Sequence, residues 1–449
     1  MPRLPFRADP RPTQIAAPGI EAVAAPDLPP GRFNNSLRAF QHRNYRLFYI
    51  GQSASLIGTW MQTAAQAWLV TELTDSELAL GLVTFMQFLP IMLFVLPAGV
   101  IADRVPKRNF LVLTQGLAML QAIILAGLVI SGHAQLWEVY ILAAMLGLSS
   151  AFDLPTRQAF AIEMVGRDDL LNAIALNSAM FNGARLIGPA IGGFIIAGAG
   201  VEAVFVLNAL SFIPIIISLY MIRQSELFAP IRKPPANPLK ELKEGISFAW
   251  RTPAIRLIII MVALIGMFGY NFTVMLPLLD KHVLHHGSVA FGFLIASVGL
   301  GSLISSLLVA GRAAATRYQL FAGATAFTIL LALVAASHSI FLTIALLAGV
   351  GAAGTVFATT ANTSLQIASP DYMRGRVVSL YMLLFAGSTP IGGLLMGTIA
   401  ALVNTQAAIV VFAALCALGT AAGGLYYVRN RSAIQLSADA NKQHAPASA

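Results

Sequence analysis

The sequence predicts an all-α membrane protein with twelve transmembrane helices in two six-helix bundles. Three observations predict it: the composition, the length of the apolar runs and the placement of the basic residues. Of the 449 residues, 57% are hydrophobic and only 10% are charged, and the mean hydropathy is +0.76. A soluble protein carries about 25% charged residues. The apolar runs are continuous rather than alternating, which argues against a β-barrel.

Twelve apolar runs reach the ~20 residues that a spanning helix needs. The connections between them are mostly short, apart from one polar, proline-bearing segment that divides six runs from six. In chain order, the predicted spans are 47–71, 79–102, 110–131, 137–160, 171–199, 203–222, 254–279, 289–311, 319–337, 340–366, 375–402 and 405–428.

The two halves resemble each other, which predicts pseudo-symmetric bundles. Helix 5 carries Gly188–Gly193 and helix 11 the similar stretch Pro390–Gly393, while helices 2 and 8 open on Gly81 and Gly292. Parallel six-helix repeats are typical of transporters whose site lies between the halves. We expect an N-terminal tail with a short amphipathic helix (1–46), an N-terminal bundle (47–222), a linker with an amphipathic helix (223–253), a C-terminal bundle (254–428) and a C-terminal tail (429–449).

The basic residues indicate the orientation. If the N-terminus is cytoplasmic, 25 of the 28 Lys and Arg fall in cytoplasmic segments. The exceptions are Arg157 and Arg185, within predicted spans, and Lys281, in an outer loop. Because Lys and Arg accumulate on the cytoplasmic side, we predict a multi-pass protein of the cytoplasmic (inner) membrane with both termini cytoplasmic.

The net charge, the cysteine count and the context of the short motifs argue against several other functions. The net charge of +9 comes from bases in short turns, so we expect membrane lipid and no nucleic acid as a partner. Cys416 is the single cysteine, which rules out an intramolecular disulfide. Gly349–Gly354 fits a dinucleotide fingerprint but lies in an apolar helix with no preceding strand. Histidines beside Asp280 lie in an outer loop and are a weak metal candidate. We predict no enzyme, no cofactor and no metal.

A charged turn, Gly99–Asn109, separates predicted helices 2 and 3. It resembles the cytoplasmic turn of the major facilitator superfamily, with Pro106 where that family prefers glycine, and the resemblance covers about 35–428. It implies the major facilitator fold and a turn that locks the outward-facing state; the alternative is that these charges only enforce topology. The gating residues are Gly99, Asp103, Arg104, Lys107 and Arg108.

Helix 5 is similar to an exporter-associated motif of the same superfamily, and the stretch Ala151–Phe160 resembles the branch that contains enterobactin-type siderophore exporters. The helix 5 motif implies a hinge or a seal against leakage. Small residues also permit close helix approach, so packing alone is the alternative. The motif residues are Gly188, Pro189, Gly192 and Gly193.

Asp153 and Arg157 stand at positions i and i+4 near the inner end of helix 4, on one face. We predict a structural ion pair that contacts the Asp103 turn. A solvated pair at the membrane surface and a coupling role for Asp153 are the alternatives.

Arg185 is the one base deep in a predicted span, where a charge usually faces a cavity or a partner. We predict a central cavity suited to an anionic or catecholate-like substrate; a snorkelling or structural arginine is the alternative. For each of the other polar cavity candidates, an interhelical hydrogen bond is the alternative. The cavity candidates are Gln62, Gln66, Asn177, Asn182, Arg185, Tyr270, Asn271, Asn362 and Gln366.

These observations predict a secondary active exporter of an amphipathic small molecule, siderophore- or drug-like, that works by alternating access as a monomer. Protons as the coupling ion are implied by the resemblance. An uptake symporter or a lipid-flipping transporter is the alternative within transport. A transporter-like receptor or assembly factor is the alternative from another class.

Overall fold

The computed structural model describes residues 35–228, 238–310, 316–385 and 387–432, and regular structure in these ranges is helical, without strands. The tails 1–34 and 433–449 lie outside the described residues. The α-helices are α1 (Arg43–Leu73), α2 (Glu77–Arg104), α3 (Lys107–Ile130), α4 (Leu136–Val165), α5 (Leu170–Met221), α6 (Pro238–Arg251), α7 (Pro253–Gly269), α8 (Phe272–Leu279), α9 (Gly287–Ala310), α10 (Arg317–Ala336), α11 (Ile340–Ile367), α12 (Asp371–Phe385), α13 (Thr389–Leu402) and α14 (Thr405–Arg429).

The helices confirm the predicted all-α membrane fold. Among the described residues, ten segments are long and apolar enough to cross a membrane. One of them runs over 50 residues, from Asn172 to Met221, and is long enough for two passes. Helix α1, with 31 residues, is long enough for a further pass. Its glutamines make this helix less apolar than the ten segments. "Inner" and "outer" below follow the orientation predicted from the basic residues.

Four predicted spans differ in detail from the helices. Predicted helices 5 and 6 form one continuous element, α5, broken at Gly200 with φ 81° and ψ 166°, a conformation that glycine adopts at no steric cost. Predicted helix 7 is split into α7 and α8 at Tyr270 and Asn271. Predicted helix 11 is split into α12 and α13.

Helix α4 is longer than predicted. It begins at a capping box made by Gln135 and Glu138 and continues through Pro155 to Val165. Asp153 therefore lies 12 residues before the helix end, or roughly 18 Å at 1.5 Å per residue. That depth places it farther from the inner face than the sequence suggested.

The two halves meet along two helix pairs, α5 with α9 and α2 with α13. Glycines allow both approaches: a Cβ on Gly193 would lie 2.6 Å from the Ser288 carbonyl oxygen, and one on Gly81 would lie 2.9 Å from the Gly393 carbonyl oxygen. We call these two contacts the glycine seams. Both lie in the outer parts of their helices, so the halves are closely packed there.

The linker is anchored at both of its described ends. Asn44 exchanges two hydrogen bonds with the Arg223 backbone, at 3.0 and 3.1 Å. The backbone N–H of Phe228 donates to the Glu163 carbonyl at 2.8 Å. On the other side, amphipathic α6 packs on α12 and α7, and its Glu244 pairs with Arg376 at 3.0 Å. Residues 229–237 between these anchors lie outside the described residues.

The N-terminal segment ahead of α1 also packs on its own half. Asn35–Gln41 forms a short 3-10 helix, where a weak amphipathic helix was predicted. The Ala39 N–H donates to the Asn172 side chain at 2.9 Å, and Arg38 and His42 both contact the buried carboxylate of Asp169.

Candidate functional site

Arg185, midway along the part of α5 that precedes the break at Gly200, lies beside an aromatic side chain of its own half. Its guanidinium lies 5.6 Å from the centre of the Trp60 ring, within the range of a cation–π contact. Phe181 packs edge-on against Trp60 at 5.6 Å. Tyr270 of the C-terminal half lies within range of the guanidinium's charge. Of the predicted candidates, Arg185 and Tyr270 are therefore the pair that we consider together below.

Tyr270 stands at the break between α7 and α8. Its hydroxyl donates to the Gly354 carbonyl of α11 at 2.7 Å. The ring stacks on Phe327 at 5.2 Å and meets Phe385 at 4.6 Å, and Phe385 in turn stacks on Tyr381 at 5.4 Å. The helix break thus gathers aromatic rings of α10 and α12 around Tyr270.

Asn271, the other residue at this break, faces into its own half. It is 2% exposed, and its amide donates to the Met267 carbonyl at 2.7 Å. Its Oδ1 atom has no hydrogen-bond partner among the described residues, and a Cβ on Gly392 would lie 2.8 Å from it. Asn271 therefore packs against α13 rather than lining a cavity.

Asn362 and Gln366 lie near the inner end of α11. The Gln366 amide donates to Asn362 Oδ1 at 3.0 Å. Gln366 lines an open pocket of about 270 Å³ together with Thr363, Ile367 and Arg374. These two candidates are thus accessible, but the structure does not bring them into contact with Arg185.

Gln62 and Gln66 do not line the cavity, which corrects that part of the prediction. Gln62 is 0% exposed; it donates to Gln121 at 2.8 Å and accepts from Asn208 at 2.6 Å. Gln66 is 2% exposed. Their shared face points into the N-terminal bundle, where the partners on α3 and α5 offset the burial of the Gln62 amide. Sequence reasoning missed Gln121 and Asn208, although both are polar residues in apolar runs.

Asn177 and Asn182 lie on the inner part of α5. Asn177 accepts a hydrogen bond from Tyr45 at 3.1 Å, and Asn182 donates to the Ser178 carbonyl one turn earlier, at 2.9 Å. Asn177 therefore helps to hold α5 on α1. Asn182, one turn before Arg185, makes a local bond that a ligand can replace.

Asp153 and Arg157 form an ion pair inside the N-terminal bundle. Asp153 is 4% exposed and also accepts from Gln115 at 2.7 Å and from Thr114 at 3.2 Å. With its amide oxygen turned toward the guanidinium, Gln52 accepts from Arg157 at 3.1 Å. The described partners belong to α1 and α3, so the pair is a buried polar cluster and is not solvated at the membrane surface.

The predicted gating turn is fixed to its own half. Lys107 pairs with Glu163 at 2.8 Å, and both side chains are largely buried. Arg108 donates to the Leu219 and Tyr220 carbonyls at 2.6 and 3.0 Å, where a cation complements the C-terminal end of α5. Arg104 is exposed. The Asp103 side chain is outside the described set, and no described atom comes within 4 Å of a Cβ built on Gly99.

The helix 5 motif lies between α1 and α9. A Cβ on Gly188 would lie 2.7 Å from the Trp60 Cβ, and one on Gly192 would lie 3.5 Å from Met61. Gly193 and the Pro189 carbonyl instead face Gly292 in the other half. Within α5, the residue with non-helical backbone angles is Gly200, which is not a member of the motif. In this structure the motif makes close contacts with α1 and α9.

Sequence comparison finds one matching family model and several related transporters. A sequence-family model described as "transmembrane secretion effector" matches residues 34–448. The chain is 28% identical over 356 residues to the staphyloferrin A transporter of Staphylococcus aureus, covering 78% of this chain and 88% of that one. It is 26% identical over 353 residues to the multidrug efflux pump Tap of Mycolicibacterium fortuitum, covering 76% and 86%. It is 24% identical over 369 residues to the enterobactin exporter EntS of Escherichia coli, covering 82% and 87%.

Solved structures share the fold at low sequence identity. The POT family transporter PepTSo aligns with a TM-score of 0.70 at 13% identity, covering 87% of this chain and 99% of that one. A bacterial homologue of the lysosomal transporter Spinster, in an inward-facing and unoccupied conformation, aligns with a TM-score of 0.63 at 13% identity, covering 92% and 100%.

Proposed function

The chain belongs to the transmembrane secretion effector family of the major facilitator superfamily, and we propose that it exports an amphipathic, anionic small molecule of the siderophore type. It is a multi-pass membrane transporter of small molecules and not an enzyme. The direction of transport, the coupling ion and the substrate class are our proposals.

The arrangement of Arg185 between aromatic rings carries the proposal. A cation in a low-dielectric site favours an anionic ligand, and flat aromatic faces favour planar or aromatic groups. Trp60 belongs to the N-terminal half and Tyr270, near the same guanidinium, to the C-terminal half, which is why we place the ligand between the halves. The names of the staphyloferrin A and enterobactin relatives support the same substrate class.

Alternating access is supported by the position of the glycine seams. Both seams lie in the outer parts of their helices, whereas the pocket at Gln366 is open near the inner end of α11. We infer that this is a state closed to the outside, in which a ligand enters from the cytoplasm. Rocking of the two halves then exposes Arg185 to the outer side.

We assign proton coupling to the Asp153 cluster. A buried carboxylate held by one arginine changes its interactions when it takes up a proton, because the neutral form no longer pairs with the cation. Asp153 lies 12 residues inside the end of α4, and its cluster joins α1, α3 and α4. Protonation there would loosen contacts among three helices of the N-terminal half.

Inside-out membrane vesicles test the function. An imposed proton gradient, acidic inside, should drive accumulation of iron-free staphyloferrin A or enterobactin, and a lipophilic cationic dye should accumulate much less. Arg185→Ala should reduce uptake of the anionic probes by at least about tenfold. Preferential uptake of the dye would favour a general drug pump, and movement of labelled phospholipid without probe uptake would favour lipid flipping. Accumulation only in right-side-out vesicles would overturn export and favour uptake.

A further inference from the structure

Lys281 has an unusual position for a basic residue. The charge pattern places it in an outer loop, on the side of the membrane where Lys and Arg are depleted. It lies in the turn Asp280–Leu284, which follows α8 in the C-terminal half. The transport site described above does not use it.

The Lys281 ammonium makes three contacts, all with the N-terminal half. It donates to the Thr71 carbonyl at 2.8 Å and to the Thr74 carbonyl at 3.0 Å, and it pairs with Asp75 at 2.8 Å. An ammonium has three donors, so the three bonds use its full capacity. The acceptors sit together at the outer end of α1.

These acceptors are suited to a cation. Helix α1 ends at Leu73, and the last carbonyls of a helix have no partners within it and carry partial negative charge. The Lys281 hydrogen bond and charge hold the pKa of Asp75 below its usual range, so its carboxylate is ionised at neutral pH. Asp75 is 99% exposed while Lys281 is 25% exposed. The carbonyl bonds are therefore the stronger part of the contact, because solvent screens the exposed pair.

The turn that presents Lys281 is itself held in place. The buried carboxylate of Asp280 accepts from the backbone N–H groups of His286 and Gly287 at 3.3 and 3.0 Å. His282 bonds Thr405 within its own half at 2.9 Å, and its other ring nitrogen lies 3.8 Å from Glu77 of the N-terminal half. The ammonium thus reaches α1 from a fixed platform.

We propose that Lys281 is an outer latch, which closes the outer side by capping the C-terminal end of α1 from the opposite half. The proposal rests on alternating access as proposed above. Opening toward the outside separates the halves and must break all three bonds. The latch therefore sets how readily the outward-open state forms.

Cysteine labelling on intact cells tests the latch without measuring transport. The single native cysteine, which is buried, is replaced by Cys416→Ala, and Thr84→Cys serves as reporter. Thr84 is 5% exposed, and its γ-methyl would lie 2.9 Å from a Cβ on Gly393 across the seam. A membrane-impermeant maleimide should reach this position only when the outer side opens.

Lys281→Met should raise the labelling rate of Thr84→Cys about tenfold, which corresponds to about 1.4 kcal/mol. Lys281→Gln should act in the same direction, and Lys281→Arg should stay near the parent rate because it keeps a cationic donor. Asp75→Asn, which leaves both carbonyl contacts, should have a smaller effect. His133→Gln, in a different exposed outer loop, should change nothing.

Exposed Ser131→Cys reports the amount of protein at the surface in every background. The latch is overturned if Lys281→Met and Lys281→Gln leave the Thr84→Cys rate unchanged while Ser131→Cys labels equally. That result would leave the export proposal standing, because no substrate is used. Conversely, faster labelling without any export in vesicles would support the latch and count against the proposed function alone.

Discussion

Gly193 of the N-terminal half lies directly against Gly292 of the C-terminal half: a Cβ atom on Gly193 would come within 3.1 Å of the Gly292 Cα and 2.6 Å of the Ser288 carbonyl oxygen. The two backbones touch across the boundary between the halves, which parts in the alternating access proposed above. Nothing flexible stands between them to absorb an added atom, so this contact is a sensitive point of the outer seal.

Gly193→Ala should therefore favour the outward-open state. The new methyl group meets backbone rather than a movable side chain, so the halves must separate locally. We expect several-fold faster labelling of Thr84→Cys from outside and reduced export. Gly198→Ala is the matched control in the same helix, because no described atom lies within 4 Å of its Cβ position. Equal labelling of the two variants would contradict the seal.

Arg185→Ala should reduce export of an anionic probe by at least about tenfold, the effect of losing about 1.4 kcal/mol of binding. Arg185→Lys should retain part of the activity, because it keeps the charge but loses the planar contact with Trp60. Initial rates in inside-out vesicles measure the effect. Arg251→Ala, at the exposed end of α6, is the control and should export normally. Full activity of Arg185→Ala would remove the assigned site.

Asp153→Asn should separate coupling from translocation. Asparagine keeps the hydrogen-bonding shape but cannot exchange a proton, so proton-driven accumulation should be lost while exchange of probe across the membrane persists. Parallel accumulation and counterflow assays measure the two properties. The control is Asp168→Asn, an exposed carboxylate in the α4–α5 turn. Normal accumulation by Asp153→Asn would refute the assignment of the proton site.

Gln62→Leu should destabilise the protein, by about 1–3 kcal/mol, because Gln121 and Asn208 then lose a buried partner. Gln66→Leu, one turn later, should be neutral, since the Gln66 Oε1 atom has no described partner and an apolar replacement removes that cost. Thermal unfolding in detergent compares them. Export by the folded fraction should be unchanged in both, and equal melting temperatures would contradict the bonded network.

The repeat in the sequence predicted which glycines matter but not how they pair. Gly81 and Gly292 were recognisable as openings of equivalent helices, and Gly193 and Gly393 as members of equivalent motifs. The structure pairs them crosswise, each motif against the opening glycine of the opposite half. Sequence periodicity within one helix contains no information on which helix of another bundle it meets, so this pairing required the three-dimensional arrangement.

The cavity candidates show a second limit. Gln62 and Gln66 are four residues apart and so share one face of α1, but helical spacing does not tell whether that face meets the centre of the protein or its own bundle. In the structure this face meets its own bundle, because Gln62 is hydrogen-bonded to Gln121 of α3 and to Asn208 of α5. Asp153 illustrates the uncertainty of helix ends: α4 continues to Val165, five residues beyond the predicted end, so Asp153 lies farther from the end of its helix than predicted.

The anchors on either side of the linker turn it into a tether of fixed maximum length. Arg223 and Phe228 are bonded to the N-terminal half, and α6 is bonded to the C-terminal half through Glu244. Nine residues, 229–237, join the two anchored parts, and a chain of that length reaches at most roughly 30 Å. In the alternating access proposed above, the inner faces of the two halves part no farther than this tether spans, so its length limits the size of the proposed cargo.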